Sequence, residues 1–295
     1  MQLLRTPDEA FTGITDFPYE PLYGTLDDGV RMAYVAAGPE GGQPVVLMHG
    51  EPTWSYLWRS VIPVLADAGL RVIAPDLVGF GRSDKPAQMS DHTYARHVEW
   101  MRALLFDRLD LRGVTVVGHD WGGLIGLRVA TENADRVARI VTTNTGLPTG
   151  DQAMPEVWLR FRDAVRNAEV LDIGRFVRSG CLTELPAAVE AAYAAPFPDE
   201  TFKAAPRIMP DLIPTTPDNP ASAANRTAWQ RLSTWDKPFL VAFSDRDPIT
   251  GGMAPILART VPGNHAVTVP GAAHFIQEDA GPQLAREIAR FVAAT

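Results

Sequence analysis

Short apolar runs rich in β-branched residues recur along the chain at 45–48, 71–74, 114–117, 139–142 and 239–242, each followed by glycine, a turn and a helical pattern. That alternation predicts a mostly parallel sheet with helices on both faces, an α/β fold. The runs are continuous rather than alternating, so each strand is expected to be covered on both sides. Residues 31–35 read as an added edge strand, and 266–269 as a further strand near the end of the chain. From about Gly150 to Ser233 the rhythm breaks into helical, proline-rich sequence, with seven prolines between Pro196 and Pro220. Inserted between two strands whose carboxyl ends should carry the site, that segment reads as a helical cap. The expected division is a core of 1–149 and 234–295 and a cap of 150–233.

Composition narrows the function. The chain has 295 residues, 46% apolar and 21% charged, enough for a sizeable core. A net charge of -8 without a basic run argues against nucleic acid as a partner. The single cysteine, Cys181, has no disulfide partner in the chain and is expected as a small packed side chain. The first twenty residues lack the apolar run of a signal peptide, and no stretch of 18 uninterrupted apolar residues occurs, so the expectation is a cytoplasmic protein off the membrane.

The most informative stretch is Gly118-His119-Asp120-Trp121-Gly122, a strand end followed by a glycine-flanked turn and a helix. It resembles the nucleophile elbow of α/β hydrolases, G-x-S-x-G, with aspartate where serine would stand. Small neighbours are needed because a strained strand-to-helix turn crowds the backbone. The competing reading of Asp120 is a plain helix N-cap. His49-Gly50-Glu51-Pro52 follows a strand and resembles the loop that lends an N–H to the oxyanion hole of such enzymes. Asp247 follows a strand, with Asp245 as its rival, and His274 lies near the end of the chain. The order nucleophile, acid, histidine is the order this fold uses.

Residues 49–59 (HGEPTWSYLWR), 74–86 (APDLVGFGRSDKP), 119–123 (HDWGG), 193–199 (YAAPFPD) and 274–278 (HFIQE) resemble the haloalkane dehalogenases, over nearly the whole chain. The pattern is most like the branch with two halide-binding tryptophans and an Asp-His-Asp triad. A sister branch carries asparagine two residues after the loop histidine and a glutamate after the strand preceding the cap; here stand Glu51 and Asn144-Thr145. That departure favours Asp247 as the acid. His119 is shared with related epoxide hydrolases and does not separate the two.

A carboxylate nucleophile is already ionised at pH 7, and its attack on an sp³ carbon gives an ordinary ester. Alkyl halides and epoxides both qualify. An epoxide oxygen needs a proton donor, which relatives supply with two cap tyrosines, whereas a halide needs only aligned N–H donors. Between 150 and 233 the only tyrosine is Tyr193, while Trp158 and Trp229 lie there and Trp235 just beyond. The elbow places Trp121, and the resemblance makes Trp158 the second halide donor; Trp229 and Trp235 are expected to be structural. His274, held by Asp247, is the expected base for the hydrolytic water, with the N–H groups of Glu51 and Trp121 as the oxyanion hole. His92, His97 and His265 are expected to be solvated. No metal-ligand spacing appears, Gly79-Phe80-Gly81 lacks the remainder of a dinucleotide fingerprint, and no cofactor is implied. The expected partners are a small halogenated hydrocarbon and halide ion, acting on a monomer or small homo-oligomer. An epoxide hydrolase and a catalytically silent binding protein are the rivals, while a serine esterase fails for want of an elbow serine.

Overall fold

The computed structural model describes residues 1–295. Eight strands form one sheet: β1 (Leu22–Thr25), β2 (Arg31–Ala37), β3 (Pro44–Met48), β4 (Arg71–Pro75), β5 (Val114–His119), β6 (Val137–Thr143), β7 (Phe239–Ser244) and β8 (His265–Val269). Their spatial order is β1-β2-β4-β3-β5-β6-β7-β8. β2 runs antiparallel to both β1 and β4, and the remaining neighbours are parallel. Every residue of β5 and β7 is buried, as their unbroken apolar runs require, because helices cover both faces.

The expectation of an edge strand at 31–35 needs correction. β2 is one strand in from the edge, and β1 lies outside it. β1 has only four residues, of which Gly24 alone is buried, so it carries no apolar run to read.

Seven of the helices matter for the site. α1 (Trp121–Glu132) leaves the end of β5. Between β6 and β7 come α2 (Glu156–Asn167), α3 (Ile173–Ser179), α4 (Ala187–Ala194), α5 (Ala204–Leu212) and α6 (Ser222–Leu232), and the chain ends in α7 (Ile276–Ala294). Prolines punctuate the inserted helices. Pro155 and Pro186 stand immediately before α2 and α4, where a missing N–H costs nothing. A single cluster of 77 buried residues includes Trp158, Tyr193 and Met209 of the insertion together with the sheet, so the insertion shares one core with it.

Polar contacts fix that packing. Trp54 donates its indole N–H to the carbonyl of Ala192 at 3.0 Å. Arg59 holds the nearly buried Glu278 of α7 by two bonds, one of them 2.7 Å, and Tyr193 donates its hydroxyl to the same carboxylate. Removing one partner of such a buried pair typically costs about 3–5 kcal/mol. Asp279, one residue on, accepts from the N–H groups of Leu182, Thr183 and Ala273, tying the insertion to the segment before α7.

β3 lies between β4 and β5, and the chain leaves it to form β4 on one side before returning on the other. The loops after these strands diverge and leave a crevice at their carboxyl ends. No helix is long and apolar enough to cross a membrane.

Candidate active site

Asp120 sits between β5 and α1 with φ 49° and ψ -124°, a backbone state whose strain is on the order of 1–3 kcal/mol for a non-glycine residue. Its neighbours permit the turn. A Cβ on Gly118 would meet the backbone of Gly123, and one on Gly122 would meet the carbonyl of Met48. The backbone is tied down by bonds from Asp120 N–H to the Asn144 carbonyl (3.1 Å) and from Thr145 Oγ1 to the Asp120 carbonyl (2.7 Å). Beyond the adjacent Trp121 N–H the carboxylate makes no bond to α1, which removes the N-cap reading.

Instead the carboxylate faces the crevice between two sets of partners. Oδ1 accepts the Glu51 N–H at 2.9 Å, and the backbone N–H of Trp121 also serves the carboxylate. Oδ2 lies 3.6 Å from Nε2 of His274. Nδ1 of His274 lies 3.2 Å from each carboxylate oxygen of Asp247. Asp247 is itself oriented by the N–H groups of Ile249 (2.8 Å) and Thr250 (3.2 Å) and by the Thr250 hydroxyl. Asp245 spends its carboxylate on the N–H groups of Gly271 and Ala272, so of the two sequence candidates only Asp247 meets the histidine. Asp120, Asp247, His274 and the N–H groups of Glu51 and Trp121 thus converge from four loops.

Burial disfavours charge on His274, but Asp247 and Asp120 overcome it and raise the imidazole to about 10. Burial likewise opposes charge on both aspartates, yet contact with His274 keeps each below its ordinary value. Both carboxylates therefore favour the imidazolium form of His274. Burial, reinforced by the charge of Asp120, pushes the Glu51 side chain well above the usual carboxylate range.

Two residues act behind these groups. His119 donates Nε2–H to the carbonyl of His274 at 2.8 Å, and its burial holds it near 4, hence neutral. Asn144 was visible in the sequence only as a departure from a sister pattern. Its side-chain amide donates to the carbonyls of Ala273 (2.8 Å) and His274 (2.9 Å) and to Ser244 Oγ (2.8 Å), while its oxygen accepts Ser244 N–H (3.0 Å). One buried asparagine thereby joins the ends of β6 and β7 to the histidine loop. A left-handed φ of 39° at Asn144 is tolerable for asparagine and was the available signal only in structure.

Above Asp120 lies a cavity of about 690 Å³ lined by Glu51, Trp121, Trp158 and His274, joined to a second space of about 450 Å³. Trp121 and Trp158 both line the larger space and make no indole hydrogen bond, whereas Trp54, Trp100 and Trp229 give theirs to protein oxygens. Trp229 donates to the Leu147 carbonyl at 2.7 Å, and Trp235, whose buried indole N–H has no partner, lines neither space. Tyr193 is wholly buried, and no tyrosine lines either space.

The expectation that His92 and His97 are solvated is wrong. Both are buried and stacked, with His92 Nδ1 3.1 Å from His97 Nε2, and His92 Nε2 donating to the Pro86 carbonyl at 3.3 Å. Each ring satisfies the other, which is what allows a polar pair to enter the core. His265 is exposed, as expected.

Residues 43–281 match the family model of the α/β hydrolase fold. The chain is 47% identical over 299 residues to a haloalkane dehalogenase of Psychrobacter cryohalolentis, covering 99% of this chain and 98% of that one. It is 48% identical to haloalkane dehalogenase 1 of Mycobacterium tuberculosis, with both chains covered in full. Among solved structures, that of the haloalkane dehalogenase DpaA from Paraglaciecola agarilytica, described as tetrameric, is 33% identical with a TM-score of 0.92 and 97% of each chain covered. Asp120 at the elbow and near-complete coverage by these relatives lead to one conclusion: the chain belongs to the haloalkane dehalogenase family of α/β hydrolases.

Proposed function

We propose that this protein hydrolyses haloalkanes to alcohol, halide and a proton through an alkyl ester on Asp120. An Asp120 oxygen attacks the halogen-bearing carbon, the new C–O bond replaces the carbon–halogen bond, and the halide leaves with the electron pair. The indole N–H groups of Trp121 and Trp158, which make no hydrogen bond to a protein oxygen, meet the charge that grows on the halogen. Residues 150–233 serve as the lid that supplies Trp158 and keeps water from competing for those donors.

Hydrolysis then uses a change of charge built into the site. Esterification neutralises Asp120, and with it goes part of what holds the proton on His274. His274 sheds that proton to solvent and becomes the base for water, which attacks the Asp120 carboxyl carbon. The oxyanion is received by the N–H groups of Glu51 and Trp121, and its collapse expels the alkyl oxygen, which leaves as alcohol with the proton His274 took from water, while the Asp120 acid proton passes to His274 and restores the carboxylate. Asp247 steadies the imidazolium that forms.

The observation that carries the halide reading over an epoxide is that Trp121 and Trp158 line the cavity beside Asp120 while no tyrosine does, Tyr193 being held by Glu278. The test is a panel of chlorinated, brominated and iodinated alkanes beside a panel of epoxides. Halide release without diol formation supports the proposal, and diol formation without halide release refutes it.

A further inference from the structure

Trp158 and Arg162 stand four residues apart on α2, a spacing that puts two side chains on one face of a helix. Helical side chains lean toward the N-terminus, so the later residue lies over the earlier one. Accordingly the guanidinium carbon of Arg162 sits 5.3 Å from the centroid of the Trp158 ring, within cation–π range. The Arg162 side chain is only 19% exposed, and its Nε is buried without a partner. The carboxylate within reach is that of Asp163 at 3.5 Å, which is 57% exposed and screened by water.

Cations over indole rings recur in this protein, and what sets Trp158 apart is the state of its N–H. Arg82 packs over Trp54 and Arg96 over Trp100, but those indoles give their N–H groups to the Ala192 carbonyl and the Asp28 carboxylate. Lys237 approaches Trp235, which lines neither space over Asp120. Trp121 faces the ring of Tyr94 at 5.0 Å, and Arg128 behind that ring is paired with Glu132. Trp158 alone combines a cation on its ring, an N–H given to no protein oxygen, and a place in the wall beside Asp120. Arg162 itself lines neither space, so it touches neither substrate nor halide.

We propose that Arg162 is a positioning residue for the leaving halide: its charge, held against the Trp158 ring, fixes the indole and polarises the N–H that receives the halogen. This rests on the dehalogenation and on the donor role of Trp158 proposed above. A cation over the electron-rich face draws π density toward itself and leaves the ring edge, where the N–H stands, more positive. The benefit grows as negative charge builds on the halogen. It therefore belongs to displacement and halide binding, and ester hydrolysis at His274 has no share in it.

Arg162→Met keeps an unbranched stem and removes the charge, and the buried Nε it deletes had no partner to strand. The Kd for bromide, read by quenching of tryptophan fluorescence, should rise about tenfold, and the bromide burst from 1,2-dibromoethane should slow about tenfold, the size of a desolvated cation–π contact. Ester hydrolysis after the burst should change by less than about twofold, and Arg162→Lys should retain most of the bromide affinity. In Trp158→Phe, with no N–H left to polarise, adding Arg162→Met should weaken bromide by less than about threefold more. Unchanged bromide affinity in Arg162→Met overturns the proposal, as does equal loss in Arg162→Lys, or hydrolysis slowed as much as the burst. If Arg162→Met and a second uncharged variant, Arg162→Gln, both fail to fold, Arg162 serves the packing of α2 and the proposal falls. Bromide affinity intact in Trp158→Phe removes the donor instead and leaves dehalogenation standing. No halide release from the unaltered protein removes the dehalogenation itself.

Discussion

Trp158→Phe isolates a single hydrogen-bond donor, and the structure says how large its loss should be. Trp158 lies on α2, is about 5% exposed, and lines both spaces over Asp120. Its indole lines the cavity and makes no hydrogen bond to a protein oxygen, so phenylalanine leaves no carbonyl or carboxylate stranded. The cost to folding is then mainly lost ring contact, about 1 kcal/mol, which moves Tm by roughly 2–4 °C in a chain of this size. The cost to displacement is larger, because a donor aimed at charge that grows in the transition state is typically worth ~3 kcal/mol, or roughly a hundredfold in rate. Rapid-mix measurement of the halide burst reads the displacement, and quenching of tryptophan fluorescence by bromide reads ground-state halide binding. Both should weaken in Trp158→Phe. Trp229→Phe is the comparison, since that N–H is committed to the Leu147 carbonyl and should not touch the burst. A burst slowed by Trp229→Phe and unaffected by Trp158→Phe would refute the assignment of the second donor.

Asp247→Asn removes the charge that holds His274, so ester hydrolysis should slow by on the order of a thousandfold while the halide burst changes far less; equal slowing of the two steps contradicts the division of labour. The buried histidine pair makes an acid-sensitive core. Burial lowers His92 to about 4 and holds His97 well below its ordinary value, so the unfolded chain binds protons below pH 6.5 that the folded chain refuses. Stability is present above that value and is lost as pH falls through the range down to about 4, by about 3 kcal/mol for His92 alone. The carbonyl of Pro86 and Asp91 oppose this shift and Arg96 adds to it. Tm measured from pH 7 to 5 should fall less steeply in His92→Leu, and an unchanged slope would place the acid sensitivity elsewhere.

Much of the site was legible because the elbow is a local constraint. Gly118 and Gly122 flank Asp120 in sequence for the same reason a Cβ at either place strikes backbone in space. The oxyanion loop and His274 were legible through their place after strands. Spacing from the strand and the family resemblance both pointed to Asp247 over its rival Asp245, and the partners of the two differ, one meeting His274 and the other the N–H groups of Gly271 and Ala272. Asn144 was illegible as a contributor because its bonds run to residues 100 to 130 positions away, which no window of sequence contains. His92 and His97 misled for a related reason. Polar residues near Ser90 and Asp91 read as surface until the structure shows that they satisfy each other. The short β1 strand lacked the run of apolar side chains by which the other strands announced themselves.

The central claim is that Asp120 is alkylated and that His274 is needed only afterwards. The direct measurement is mass spectrometry of His274→Gln after exposure to 1,2-dibromoethane, with halide counted in the same sample. The account predicts one equivalent of bromide, then arrest, and a bromoethyl group on the proteolytic peptide that contains Asp120. Unmodified Asp120 in a folded variant that has released bromide, or an alkyl group carried by any other residue, would contradict it.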